Sequence, residues 1–279
     1  MAKRKTEQKS KAKTPAGKKA GPKKAAVRKD SPRKTAPEKA ASRKTTLRKA
    51  AAPRRVASAP CVALIADIVH SRRFHGKARE RLQQKLQLIL DELNGTYEEA
   101  LLSRFTITIG DEFQTLLHTA EPLADLLWDL ESALPEVELR IGIGHGKLDT
   151  ELKQEAVGMD GPVWHQARDA VEQAKRESLG GGVFRGFKNA DDEVLNGMAR
   201  LLYHVRSQWT DRQKSVIRLL RDPTTASQTE VARRLKLSRQ AVHNRLKSTG
   251  WSAWSDAEKA FRQVLSQYSY AEKWQQRLS

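Results

Sequence analysis

The sequence predicts an α/β domain followed by an all-α unit, with a basic tail in front that cannot build a core. Three observations carry this. The first 59 of the 279 residues hold 21 Lys or Arg against three acids, whereas the rest hold 31 against 30. Between residues 60 and 188, short apolar runs alternate with apolar patterns of helical period, as strands and helices do. From 189 to 279 the pattern is helical throughout and punctuated by capping residues.

The tail, residues 1–59, has no aromatic side chain, and beyond alanine its only aliphatic or thioether residues are Met1, Val27, Leu47 and Val56. It cannot bury enough apolar surface to offset the entropy of ordering, so disorder is expected. Units such as Arg33-Lys34-Thr35-Ala36-Pro37 and Arg43-Lys44-Thr45-Thr46 recur loosely, and the composition resembles that of histone-like tails. Dense cations on a flexible chain bind polyanions by counterion release without reading sequence, so residues 1–59 are expected to touch DNA non-specifically. A solubilising or targeting extension is the plainer alternative. No apolar run approaches the ~18 residues of a membrane span, and the first thirty residues lack the apolar core of a signal peptide. The expectation is a cytoplasmic protein without membrane contact, nucleoid-associated if the tail binds DNA. Cys61 is the single cysteine, which excludes an internal disulfide and a cysteine-based zinc site. It reads as a small core hydrophobe.

The fold starts after Pro60 with Cys61 to Val69, an apolar run of the kind found in a strand covered on both faces. Asp67 alone interrupts it. An acid near the end of a buried strand is costly unless something pairs with it or coordinates it. Lys77 to Leu93 then reads as an amphipathic helix with Leu82, Leu86, Ile89, Leu90 and Leu93 on one side. Phe105, Ile107 and Ile109 alternate with Thr106 and Thr108 before Gly110, and Phe113 and Leu117 resume the pattern, which predicts a hairpin with Asp111 and Glu112 at its tip. That topology would bring Asp67 and Asp111 to one sheet edge, where two carboxylates suit a hard cation, Mg²⁺ or Mn²⁺. Glu112 is a further candidate ligand. A plain turn at Gly110-Asp111 is the competing reading.

Ala120 to Leu134 reads as a helix, and Val137 to Gly146 as a strand with Leu139, Ile141 and Ile143 on one face and Arg140, Gly142, Gly144 and Gly146 on the other. Glycines on one strand face admit a ligand or a closely packed helix. A helix opens at Pro162, and Val183 to Phe187 reads as a short strand.

The succession IADIV (65–69), TIGDEF (108–113), LRIGIGHG (139–146) and DGPVWHQARDAVEQAK (160–175) resembles the SatD family of bacterial proteins and, more distantly, class III nucleotidyl cyclases and GGDEF-type domains. The resemblance implies an α+β sandwich of the nucleotidyl cyclase-like or ferredoxin-like kind. It implies that Asp67 and Asp111 hold metal over a nucleotide ligand, with a backbone carbonyl from Ile68, and that Arg168 contacts phosphate. The sequence departs from the cyclase pattern in three places. Thr108 and Ile109 stand where a lysine is expected, His165 replaces an asparagine, and the tip reads TIGDEF.

In the all-α unit, Asn189 is placed to cap a helix from Asp191 to about Gln208. Thr210 to Gln213 and Ser227 to Glu230 read as capping boxes, and Ser238 as the cap of a helix from Arg239 to about Ser248. Two short helices joined at Lys236-Leu237 are the pattern of a helix-turn-helix, with Val231, Leu235, Leu237, Val242 and Leu246 as its core. Arg239, Gln240, His243, Asn244 and Lys247 are then the exposed set, residue types that read base edges and hold phosphates, so specific DNA contact is expected through 227–249. This segment, with Trp251 and Trp254, also resembles the C-terminal part of SatD-like proteins. Ser255 is read as the cap of a last helix from Asp256 to Gln267. Its stripe of Phe261, Val264, Leu265 and Tyr268 would pack at home or form a homodimer. Two function classes follow: a DNA-binding transcription regulator with a nucleotide- or metal-sensing domain, or a Mg²⁺-dependent enzyme acting on nucleotides.

Overall fold

β1 (Pro60–Ile68) is the central strand because it is apolar on both faces. Val62, Leu64, Ala66 and Ile68 join one hydrophobic cluster, and Cys61, Ala63 and Ile65 join another on the opposite face. Burying each of the larger side chains stabilises the fold by ~1.5–3 kcal/mol. Cys61 is a fully buried thiol whose Sγ lies 3.6 Å from the Gly146 carbonyl oxygen, as a core hydrophobe should be. The computed structural model describes residues 59–278 apart from 189 and 226, so the tail readings before Ala59 and the Asn189 cap lie outside the described residues. Among the described residues no helix is long and apolar enough to cross a membrane.

The chain continues through α1 (Gly76–Thr96), β2 (Leu101–Ile107), β3 (Phe113–Leu117), α2 (Leu123–Ala133), β4 (Leu139–Lys147), α3 (Pro162–Arg176) and β5 (Val183–Arg185). The sheet order is β2-β3-β1-β4-β5, antiparallel except for the β4–β5 pair. The mixed α/β class is therefore as expected. β2 starts four residues before Phe105, where the expected alternation began. Its register slips between Leu101 and Ser103 and again between Ser103 and Thr106, which hides the period of two. Ile109 is not a strand residue but an 83% exposed tip residue. The tip closes when the Thr108 N–H donates to the Glu112 carbonyl at 2.8 Å.

The glycines of β4 serve a helix. A Cβ on Gly142 would stand 2.3 Å from the Val171 nitrogen, and one on Gly144 would stand 2.2 Å from the Ala167 nitrogen. The α3 backbone thus rests directly on β4, leaving no room there for a ligand. α3 begins at Pro162, whose fixed φ suits a first turn.

Beyond β5 come α4 (Asp191–Ser207), α5 (Asp211–Arg221), α6 (Gln228–Arg234), α7 (Arg239–Ser248), α8 (Trp251–Leu265) and α9 (Ala271–Leu278). Strands give way to helices near residue 188, but the hydrophobic core continues across that point. Trp128 of α2 meets Trp209 and Trp254 at ring-centroid distances of 6.2 and 5.8 Å. Arg221 lies over the Trp128 ring and donates to Asp125 and Glu258, a desolvated cation held by both its charge partners and the ring face.

Thr210 and Gln213 form the full capping box of α5. At α6 only half of the expected box is made: Ser227 accepts from the Glu230 N–H, but the Glu230 carboxylate turns to Arg233 and Arg234 instead. Charge-assisted bonds outcompete a neutral backbone donor. The last long helix starts at Trp251, not after Ser255. Gly250 adopts φ 67°, ends α7 and redirects the chain, so Trp254 is buried inside α8. Phe261, Leu265 and Tyr268 pack into the protein's own core, with Val264 partly buried against it.

Candidate functional site

At the edge of the sheet formed by its strand ends, where central β1 finishes beside the β2–β3 turn, β1 presents Asp67 on the α3 face while the tip presents Asp111 and Glu112. Burial raises the Asp67 carboxyl above its ordinary range. The Lys175 ammonium opposes that rise, and the nearby charge of Asp111 adds to it. Lys175 lies 3.1 Å from Asp67. Burial works against the Lys175 charge, yet its hydrogen bond to Asp67 holds its pKa above the usual value. Asp67 and Asp111 are therefore neighbours, as the topology predicted.

Glu112 belongs elsewhere. Arg168 grips it with two bonds of 2.5 and 2.8 Å, and this pairing lowers the Glu112 carboxyl pKa. Arg168 and Lys175 are seven residues apart on α3, two turns on one helix face, so a single helix supplies both counter-cations. A phosphate reaching Arg168 would have to displace Glu112. His165, one turn earlier, pairs with Asp160 at 2.9 Å.

One carboxylate oxygen is left over. Asp111 Oδ2 is buried without a hydrogen-bond partner, a costly state that a cation would relieve. Among the described residues no group of three or more His, Cys, Asp or Glu side chains could hold a metal. A divalent cation here would have Asp67, now bound by Lys175, and Asp111 as its two carboxylates and would take the rest of its shell from water or phosphate. Arg79 of α1 reaches the tip beside Gly110 and lines a small crevice with Ile68, Ser71 and Asp111. Lys175 and Arg79 were not legible as site residues, because no local spacing connects them to Asp67 or Asp111.

The second candidate surface is α7. Its N-cap Ser238 accepts from the Ala241 N–H. Val242 and Leu246 point into the core, whereas Arg239, Gln240, His243, Asn244 and Lys247 are all exposed. None of the three basic residues in this set makes an ion pair among the described residues, and Gln240 donates to Asn244 at 2.9 Å. Lys236, in the turn before α7, holds φ 53°, the left-handed conformation that glycine adopts with least strain.

An α/β domain built on a largely antiparallel five-stranded sheet, with acids at one edge and a helical continuation sharing its core, defines the class of protein. The SatD family model matches residues 61–265, and the chain belongs to the SatD family. Among solved structures, the catalytic core of a rhodopsin-guanylyl cyclase with converted specificity in complex with ATPαS is similar. That similarity covers 40% of this chain and 71% of that one, at 18% identity and a TM-score of 0.30. Comparison with curated proteins found no match.

Proposed function

We propose that the protein is a DNA-binding regulator in which α6 and α7 act as a helix-turn-helix, α7 entering the major groove. The carrying observation is the outward face of α7, which presents five hydrogen-bonding side chains and no acid. A capped helix with its apolar side buried holds such a face rigidly, and bidentate contacts from Arg to guanine or from Gln and Asn to adenine contribute ~1–3 kcal/mol of discrimination each. The mutual Gln240–Asn244 bond would keep both amides positioned before contact. Residues 1–59 would add affinity of the counterion-release kind. The test selects duplexes from a random pool with protein lacking residues 2–58, then repeats the selection with Gln240→Ala/Asn244→Ala. Enrichment of one sequence by the first and its loss in the second is expected. If the folded, tailless protein enriches nothing, the reading fails.

The unpartnered Asp111 oxygen favours a second reading, in which the sheet edge binds Mg²⁺ or Mn²⁺ with a nucleotide. A ligand that binds only the folded state stabilises it by ~2.7 kcal/mol at a hundredfold excess over its Kd. Mg²⁺ with a nucleoside triphosphate should therefore raise the melting temperature of the wild type but not of Asp111→Asn. Equal shifts in both proteins would remove the site.

A further inference from the structure

Where the C-terminal end of α2 and the loop into β4 meet α4 and α5, a cavity of about 220 Å³ opens. Its apolar wall is Trp128, Leu134, Val137 and Leu139. Three cations, Arg206, Lys214 and Arg218, also line it together with Tyr203, Arg206 lying over the Trp128 ring at 5.1 Å. Two acids also face it: Glu131 forms an ion pair with Arg206, although its Oε2 accepts no hydrogen bond among the described residues, and Glu138 pairs with Arg140 at 2.6 Å. Lys214 and Arg218, one turn apart on α5, have no ion pair among the described residues. The Tyr203 hydroxyl has no hydrogen-bond partner among them either, and burial raises its pKa, so it is a neutral donor at ordinary pH.

The arrangement differs from an ordinary solvated basic surface. Arg206 is largely buried and answered by Glu131, whereas Lys214 is half-buried and Arg218 exposed, so the two cations without an ion pair stand at the rim of an apolar hollow. Ligand sites have this form, mostly apolar with a few convergent polar groups. We infer that the cavity binds a small organic anion, its aromatic or aliphatic body against Trp128, Leu134 and Leu139 and its carboxylate or phosphate at the mouth between Lys214 and Arg218. The site does not depend on whether α7 reads DNA.

The test is calorimetric titration of the full chain with 2-naphthoate, 2-naphthyl phosphate and the neutral 2-naphthamide at physiological ionic strength. At least one anion should bind tenfold or more tightly than the amide, and which of the two binds better separates a carboxylate from a phosphate ligand. Lys214→Gln/Arg218→Gln should erase the preference for the anion, and Ser132→Trp, which fills the cavity from its rim, should abolish binding of all three. Arg212→Gln, on the same helix but outside the lining, controls for general charge and for the basic tail and should change nothing. The inference is overturned if no probe binds, if the preference survives in the double variant, or if Ser132→Trp binds as the wild type does.

Discussion

Replacing Gly144 by alanine adds one methyl group at the most crowded point of the sheet. The new Cβ would lie 2.2 Å from the Ala167 nitrogen and 2.3 Å from the Val163 carbonyl oxygen, against an ordinary contact of 3.4 Å, so α3 must withdraw by about 1.2 Å, the difference between 3.4 and 2.2. Those are backbone atoms of the first turns of α3 and cannot rotate away. Overpacking of this kind costs ~1–3 kcal/mol. For a unit of this size that corresponds to a fall in Tm of ~2–12 °C, at ~2–4 °C per kcal/mol. The withdrawal should also stretch the Arg168–Glu112 and Lys175–Asp67 pairs, because both cations ride on α3. The assay is thermal melting followed by circular dichroism, with Gly197→Ala as the control. Gly197 lies within α4, and a Cβ there meets nothing within 4 Å, so alanine should be neutral or stabilise by up to ~1 kcal/mol through its better helix propensity. A Gly144→Ala protein that melts with the wild type would refute the seating of α3 on bare β4 backbone.

Two further perturbations test other parts of the fold. Burial lowers the His145 pKa below its ordinary 6.5, and its ring nitrogens are engaged by the Gly186 carbonyl and the Tyr270 hydroxyl at 2.8 Å. The unfolded chain therefore binds the extra proton first, so stability present above pH 6.5 is lost as pH falls below it. Urea midpoints should drop between pH 7.5 and pH 5 (both chosen to bracket the ~6.5 of an unperturbed histidine) more in the wild type than in His145→Gln, and parallel curves would sink the idea. Lys236→Gly should stabilise the protein, since a left-handed non-glycine residue costs ~1–2 kcal/mol, offset in part by the greater entropy of unfolded glycine. A lower urea midpoint in Lys236→Gly would show that the turn tolerates lysine for another reason.

What could be read from the sequence was local or periodic. β1 was visible because a strand buried on both sides leaves an apolar run broken only at Asp67, and α5 because Thr210 and Gln213 satisfy each other across three positions. The convergence of Asp67 with Asp111 followed from the order strand, helix, hairpin. The start of α8 was misread because a serine with following acid resembles a cap, while the decisive residue was Gly250, whose left-handed turn lets helix resume at once. The half-made box at Ser227 failed on a competition that spacing cannot rank, since Arg233 and Arg234 sit within reach of Glu230 on the same helix. Lys175 was invisible as a site residue for a different reason. It looks like any cation on the polar face of an amphipathic helix, and only the seating of α3 on β4 brings it to Asp67.

That seating decides the chemistry of the acidic edge. Three carboxylates meet there, and two of them are paired with cations of one helix whose height is set by the glycines beneath it, while Arg79 of α1 shares a crevice with the third. Glu112 is satisfied bidentately and Asp67 by the Lys175 ammonium and a contact with Asp111, whose Oδ2 has no hydrogen-bond partner among the described residues. A divalent cation entering this edge would compete with Lys175 for Asp67 while gaining Asp111 outright. An arriving nucleotide would bring phosphate oxygens, which the cation needs, toward Arg79 on the other side of the tip. The edge thus keeps one buried acceptor without a partner among the described residues, and a ligand that stabilises it would supply a cation or a hydrogen-bond donor at Asp111.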